Sequence, residues 1–465
     1  MPTMKKRPLQ ITACLLAMTL LTGCGAQAAP ADPTTISQAT LLEKSAQPQD
    51  SYTFPEKFTG DWKGQEGRLT IHADAKVEAP QGVILPTATV EPRDFTQADV
   101  DNLVRVMLKG QTLYAHTQTK QELQDWADKI RSPQWTPDPG KGLTTPEQIE
   151  QERQRILAYY DAMLATAPEE TPVVNGFIDD LPGTSRISGW AMVDGKKYEV
   201  SVDNSTDAKS SDRVEIIRQA YKYSGSNGNP EYWGDIPKDE AIAQGDALIQ
   251  ELGLTHMVLD DAQLTDSGTW QLYYVPTVNG LRLPSIQERV ENHIEGYTET
   301  MYWSYSCWAE ENPDTVHWPM ECIYLDVGKE GVLSFSWFDP ATEPVVKQPQ
   351  TSLLPFEEIA AIADAMLPVV VIGPHESRSL VEIDQINGET SYVDVNITKV
   401  SLSLMRIRDK GSLHGTIVPV WDFWGSRDWY GFEGPYGQKG SQITTQPMLT
   451  LNAIDGSVVS RMFGY

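Results

Sequence analysis

The seven histidines of this 465-residue chain stand at positions 72, 116, 256, 293, 317, 375 and 414. No two are four residues apart, so no helix face carries the paired imidazoles of an H-E-x-x-H metal site. The nucleophile-elbow pattern G-x-S-x-G and the phosphate-cradling G-x-x-x-x-G-K-[ST] are also absent. Asp203, Ser205 and Asp207 have the spacing of the first oxygen ligands of a calcium loop. They lack the glycine at its sixth position and the closing glutamate. His414 lies near Ser412, but the flanking Gly411 and Gly415 make this a turn before a catalytic pair. Asp455-Gly456 is likewise a turn pair, since both residues tolerate positive φ. The residue types call for no metal, no cofactor and no catalytic residue.

Two kinds of side chain remain. The first is cysteine. Cys307 and Cys322 form a candidate disulfide if the chain folds outside the cytoplasm. Closing that loop stabilises a fold by about 3 kcal/mol in the chain-entropy model, and two buried thiols are the alternative. The second is aromatic. Of 13 tryptophans, seven (303, 308, 318, 337, 421, 424 and 429) fall in two loop-and-strand regions of the C-terminal half. They concentrate in YTETMYWSYSCWAEENPDTVHW and WDFWGSRDWYGFEGPYG. Trp421 and Phe423 alternate as on a strand and are expected in the core. Trp429, Tyr430, Phe432 and Tyr436 sit among glycines and a proline, as in a loop, and with Trp303 and Trp308 make up a candidate binding surface.

The N-terminus places this chemistry. Lys5, Lys6 and Arg7 precede an apolar run from Ile11 to Leu21 that is too short to span a bilayer, which describes an export signal. Leu21-Thr22-Gly23-Cys24 has the form of a bacterial lipobox, so Cys24 is the expected lipidation site and first mature residue. Acyl chains there would hold the protein on the outer face of the membrane. Residues 24–50, rich in Ala, Pro, Thr, Ser and Gln, read as a flexible tether. With 64 acidic against 37 basic side chains, a net charge of −27, the chain would be repelled by phosphate backbones, which argues against nucleic acid as a partner.

The elements follow from periodicity and end signals. RLTIHADAKVEAP alternates as a half-buried strand with Leu69, Ile71, Ala73, Ala75 and Val77 inward, and Val83 to Val90 is its expected partner. Three helices start at Thr96, at Thr119 with Glu122, and at Thr145 with Pro146 and Gln148, the last two with capping-box spacing. GWAMV-Asp194-Gly195-KKYEVSV is a hairpin signal. In the C-terminal half an order occurs twice: a helix (Lys238 to Leu252, then Pro355 to Leu367), strands, and a glycine-turn hairpin. IYLDVGKEGVLS thus parallels LTLNAIDGSVVS, and YVPTVNG loosely parallels IVPVWDFWG.

The expected fold class is α+β, an N-terminal α+β domain followed by a duplicated helix-plus-antiparallel-sheet region. The expected boundaries are signal peptide 1–23, tether 24–50, N-terminal domain 51–230, and repeats 236–350 and 351–465. On Ala241 and Ala247 of the first helix, Val278-Asn279-Gly280, Val418-Pro419-Val420-Trp421 and Asn452-Ala453-Ile454-Asp455-Gly456, the repeats resemble PepSY-like domains and the YycI/YycH-type extracytoplasmic regulators. The whole chain resembles uncharacterised lipoproteins of clostridial-type bacteria. That resemblance implies a non-enzymatic binding or regulatory module for a cell-surface protein or peptide. A carbohydrate- or envelope-binding module using the aromatic loops is the alternative, and a carboxylate-dependent hydrolase a third reading. YycI-type proteins carry a membrane helix where this chain has a lipobox.

Overall fold

A computed structural model of the chain describes residues 53–64, 67–80, 84–181, 184–205, 212–218, 233, 235–265, 267–284, 287–294, 297–304, 320–370, 392–408, 414–433, 439–459 and 461. In chain order the first strands are β1 (Lys57–Gly64), β2 (Leu69–Glu78) and β3 (Thr87–Val90). Helices α1 (Gln97–Met107), α2 (Lys120–Arg131) and α3 (Pro146–Leu164) follow. Next come β4 (Ile178–Leu181), β5 (Thr184–Val193), β6 (Lys196–Ser205), β7 (Arg213–Arg218) and helix α4 (Lys238–Glu251). Strands β8 (Met257–Leu264), β9 (Trp270–Val278), β10 (Leu281–Arg282), β11 (Gln287–Ile294) and β12 (Tyr297–Ser304) precede β13 (Cys322–Gly328), β14 (Gly331–Phe338) and β15 (Val345–Gln348). Helix α5 (Phe356–Val370) leads into three long strands, β16 (Tyr392–Arg408), β17 (Gly415–Glu433) and β18 (Lys439–Asn452). The class is α+β. Among the described residues no helix is long and apolar enough to cross a membrane.

The local signals act as their chemistry requires. Thr96, Thr119 and Thr145 each accept a backbone N–H three residues on, and Asp99, Glu122 and Gln148 return the bond, so all three helices start on capping boxes. Asp194 (φ 48°) and Gly195 (φ 75°) both take positive φ, the condition for a two-residue hairpin turn between β5 and β6. Helix α5 buries Phe356, Ile359, Ala363 and Leu367, a single stripe. It runs through Pro368 rather than stopping before it.

The strands form two sheets. Sheet I runs β1-β2-β16-β17-β18-β11-β12, with β3 on β17 and β15 on β3. It is mixed, because β2 and β16 run parallel. Sheet II, antiparallel, runs β10-β9-β13-β14-β7-β6-β5-β4, with β8 on β9. Helix α5 covers sheet I over Leu69, Ile71, Val395, Trp421, Phe423 and Leu451, and helix α4 covers sheet II. Ala88 and Ile417 of sheet I meet Val278 and Leu283 of the other in a small cluster that joins the two.

Among the described residues, strand pairing crosses the expected boundaries at 230/236 and 350/351. Strand β2 pairs with β1 and β16, not with the 83–90 segment, whose strand β3 pairs with β15 and β17. The β11–β12 hairpin leaves the first repeat and extends sheet I beside β18. A strand with one apolar face must bury that face wherever a layer exists to receive it, and chain order does not decide which layer that is.

Helix α4 precedes the meander β8-β9-β13-β14, and helix α5 precedes β16-β17-β18 and a final bridge from Leu451 to Val458. In that last turn Gly456 takes φ 76°, and Asp455 accepts hydrogen bonds from the Ser457 N–H (2.9 Å) and Oγ (2.7 Å). Leu449, Leu451 and Ala453 are buried. Asp455 shapes a turn.

Candidate functional site

The expected aromatic surface is largely strand. Trp429 lies on β17 opposite Gln442 of β18, and it is buried in the core of sheet I. The composition around it reads as loop, yet residues 429–433 continue the ladder, because β17 is flanked on both sides by long partners that satisfy its backbone. Tyr430 points the other way and is 45% exposed, opposite Tyr392 at 51%. Phe432 lies on β17 opposite Gly440, and Trp303 lies on β12 opposite Glu288. Both aromatic segments therefore reach sheet I. Tyr436, Trp308, Cys307 and Cys24 lie outside the described residues. Cys322, the first residue of β13, is 1% exposed. As expected, Trp421 and Phe423 are core, with Phe54 and Phe356 edge-on to the first at ring-centroid distances of 5.1 and 4.9 Å.

A different place gathers groups that could hold a ligand. A cleft of about 650 Å³ lies between the sheets. Sheet I contributes Glu78, Lys399, Ser401, Ser403, Asp422 and Trp424, and sheet II contributes Asp260, Asp261 and Arg282. Its volume falls within the range of about 300–1,000 Å³ usual for ligand sites.

A β-bulge makes the sheet I wall. In β16 the buried positions are 393, 395 and 397, and then 400 and 402. Thr398 is the extra residue, between the pairs Ile397↔Gly425 and Lys399↔Trp424. The bulge switches the inward parity and sends Lys399, Ser401 and Ser403 to the opposite face. Gly425 is needed across from it, since a Cβ there would run into the Asn396 carbonyl.

The wall is tied together by polar contacts. The Trp424 indole N–H donates to Ser401 Oγ at 2.9 Å, and Lys399 Nζ lies 4.8 Å from the centre of the Trp424 ring. Asp422, fully buried, accepts Ser403 Oγ (2.7 Å), Thr450 Oγ1 (2.8 Å), Arg461 Nε (2.6 Å) and Arg461 Nη2 (2.5 Å). This bidentate pair ties the end of the chain to the cleft floor and neutralises Asp422. On the facing side Arg282 Nη1 reaches Asp260 Oδ1 at 3.4 Å. Among the described residues Asp261 accepts neutral donors, the Ala262 N–H and Gln263 Nε2. The Lys76 ammonium bonded to Glu78 holds that carboxyl below the usual range, with the charge of Lys399 adding to it.

A buried carboxyl group lies away from the cleft. Glu321, 4% exposed, precedes β13 and accepts the Trp337 indole N–H at 2.9 Å. Burial pushes its pKa up to about 7, against the Trp337 bond, the Arg93 charge, the Ala341 N–H and the Arg406 charge. His256 Nε2 stands 4.0 Å from it and is itself depressed by burial.

Of the cleft residues, Trp424 and Asp422 fall inside a noted aromatic segment, and the others carried no motif. One signal was available in the sequence. Val393, Val395 and Ile397 alternate, and Val400, Leu402 and Leu404 alternate one step out of phase. That slip marks the bulge that builds the wall.

By fold, the chain is an α+β protein of two helix-covered sheets with a polar cleft between them. Among solved structures it is similar to an uncharacterised protein from Eubacterium rectale ATCC 33656, at 9% identity over 91% of this chain and 99% of that one, with a TM-score of 0.34. No protein-family model matches the chain, and no curated protein does.

Proposed function

We propose that this protein is a non-enzymatic binding module, held on the outer face of the membrane by a lipid on Cys24, that engages a cell-surface protein or peptide. The observation that carries the reading is the cleft, which draws both signs of charge, hydroxyls and an indole from two sheets. Such convergence of polar groups at a junction between packed layers is the usual setting of a ligand site. The PepSY-like resemblance of the repeats and the lipobox point the same way.

The carbohydrate reading needs a row of exposed, coplanar rings. Trp421 and Trp429 are buried, and Lys399 lies over Trp424, so this part of sheet I offers no such row among the described residues. The hydrolase reading gains one strongly shifted carboxyl, Glu321, but that group is buried and does not line the cleft.

The test is site-specific photocrosslinking on intact cells. A photoreactive residue at position 399 should capture a distinct partner, and one at Tyr159, exposed on α3, should not. Equal capture from both positions, or none from 399, overturns the reading.

A further inference from the structure

The charges of the cleft, on the reading that it is a binding site, specify what it binds. Its lining holds four carboxylates, Glu78, Asp260, Asp261 and Asp422, against two cations, Arg282 and Lys399. Asp422 is removed from this balance by Arg461, whose guanidinium is buried against it. Of the remaining acids Glu78 is bonded at 2.9 Å to Lys76, which is exposed just outside the lining, and the other groups are not equally committed. Arg282 is an exposed guanidinium with two long contacts to Asp260, and Lys399 is shared between the Trp424 ring and the field of Glu78. Asp261 has no basic partner among the described residues. Asp261 on one wall, and on the other the exposed Glu78–Lys76 pair, whose carboxylate an entering cation can share, leave room for an added positive charge.

Three further observations narrow the ligand. The whole chain is at −27, so the long-range field draws in cations and repels anions before contact. Ser401 Oγ accepts from Trp424, which leaves its own hydrogen to donate to a carbonyl. The lining comes from strands β2, β16 and β17 on one side and β8 and β10 on the other, so the cleft lies between strands of the two sheets, a space an extended chain can enter.

We propose that the cleft binds an extended peptide segment of net positive charge, with Glu78 and Asp261 facing its basic side chains and Ser401 donating to its backbone. This rests on the binding-module reading and names the ligand class for it. The probes are a short fluorescent peptide alternating Lys with Val and its Glu counterpart, read by anisotropy. The Lys peptide binds the wild-type protein, binding weakens as salt is raised, and the Glu peptide does not bind. The double reversal Glu78→Lys with Asp261→Lys weakens the Lys peptide about tenfold or more, as loss and reversal of two partly exposed pairs require. The control reversal Asp125→Lys with Glu147→Lys changes the net charge equally on exposed helix surface and leaves binding nearly unchanged. Unfolding midpoints confirm that the variants fold. Equal weakening by both reversals would mean charge attraction without a site, and preference for the Glu peptide, or no binding of the Lys peptide, overturns the proposal. If crosslinking from position 399 captures a partner while the Lys peptide fails to bind, the charge assignment falls and the binding module stands.

Discussion

Replacing Glu321 with Gln tests whether the interior around Trp337 holds a neutral carboxyl. The acid is sealed beside Trp337, His256, Arg93 and Arg406, and its pKa rises from 4.5 to about 7. An acid raised in the folded state keeps a proton that the unfolded chain has already released. Its contribution to stability is therefore complete below pH 4.5 and is lost as pH rises toward 7, after which it is flat. At about 1.36 kcal/mol per pH unit, the interval amounts to roughly 3 kcal/mol. Glu321→Gln keeps an oxygen for the Trp337 N–H but cannot ionise. The variant should thus gain roughly 3 kcal/mol on the wild type between pH 4.5 and pH 8. His256 has the opposite sign, since burial depresses it and its contribution is lost as pH falls. It is present in both proteins and largely cancels in the difference. Urea unfolding across that pH range measures the effect. Parallel stability profiles for the two proteins would refute the reasoning and mean that Glu321 is ionised in the fold.

Arg461→Ala leaves Asp422 buried without its cation, which should cost roughly 3–5 kcal/mol. Asp422→Asn added to it should recover part of that loss, and a double variant no more stable than Arg461→Ala would show that the pair contributes nothing through charge. Cys24→Ser should release the protein from the membrane fraction or leave the signal peptide attached, and unchanged membrane association would remove the lipid anchor from the account.

The sequence by itself determined what depends on neighbours a few residues apart. The capping boxes at Thr96, Thr119 and Thr145, the Asp194-Gly195 turn, the alternation of β2 and the closing turn at Asp455-Gly456 all stand where their residue types require. Each is a contest between a short side chain and its own backbone, so the tertiary structure had little to add. Only the tertiary structure decided which strands share a sheet. Strand β2 runs beside β16 more than 300 residues later, and the β11–β12 hairpin extends sheet I rather than forming an aromatic loop of its own. Glycines near Trp429 suggested exposure, and two long partner strands buried that ring. The cleft was hidden because most of its residues carry no motif and they come from both sheets. Their meeting depends on a one-residue bulge at Thr398 and on the packing of one layer against another, and pairing partners for a backbone are chosen by burial across the whole chain, not by local propensity.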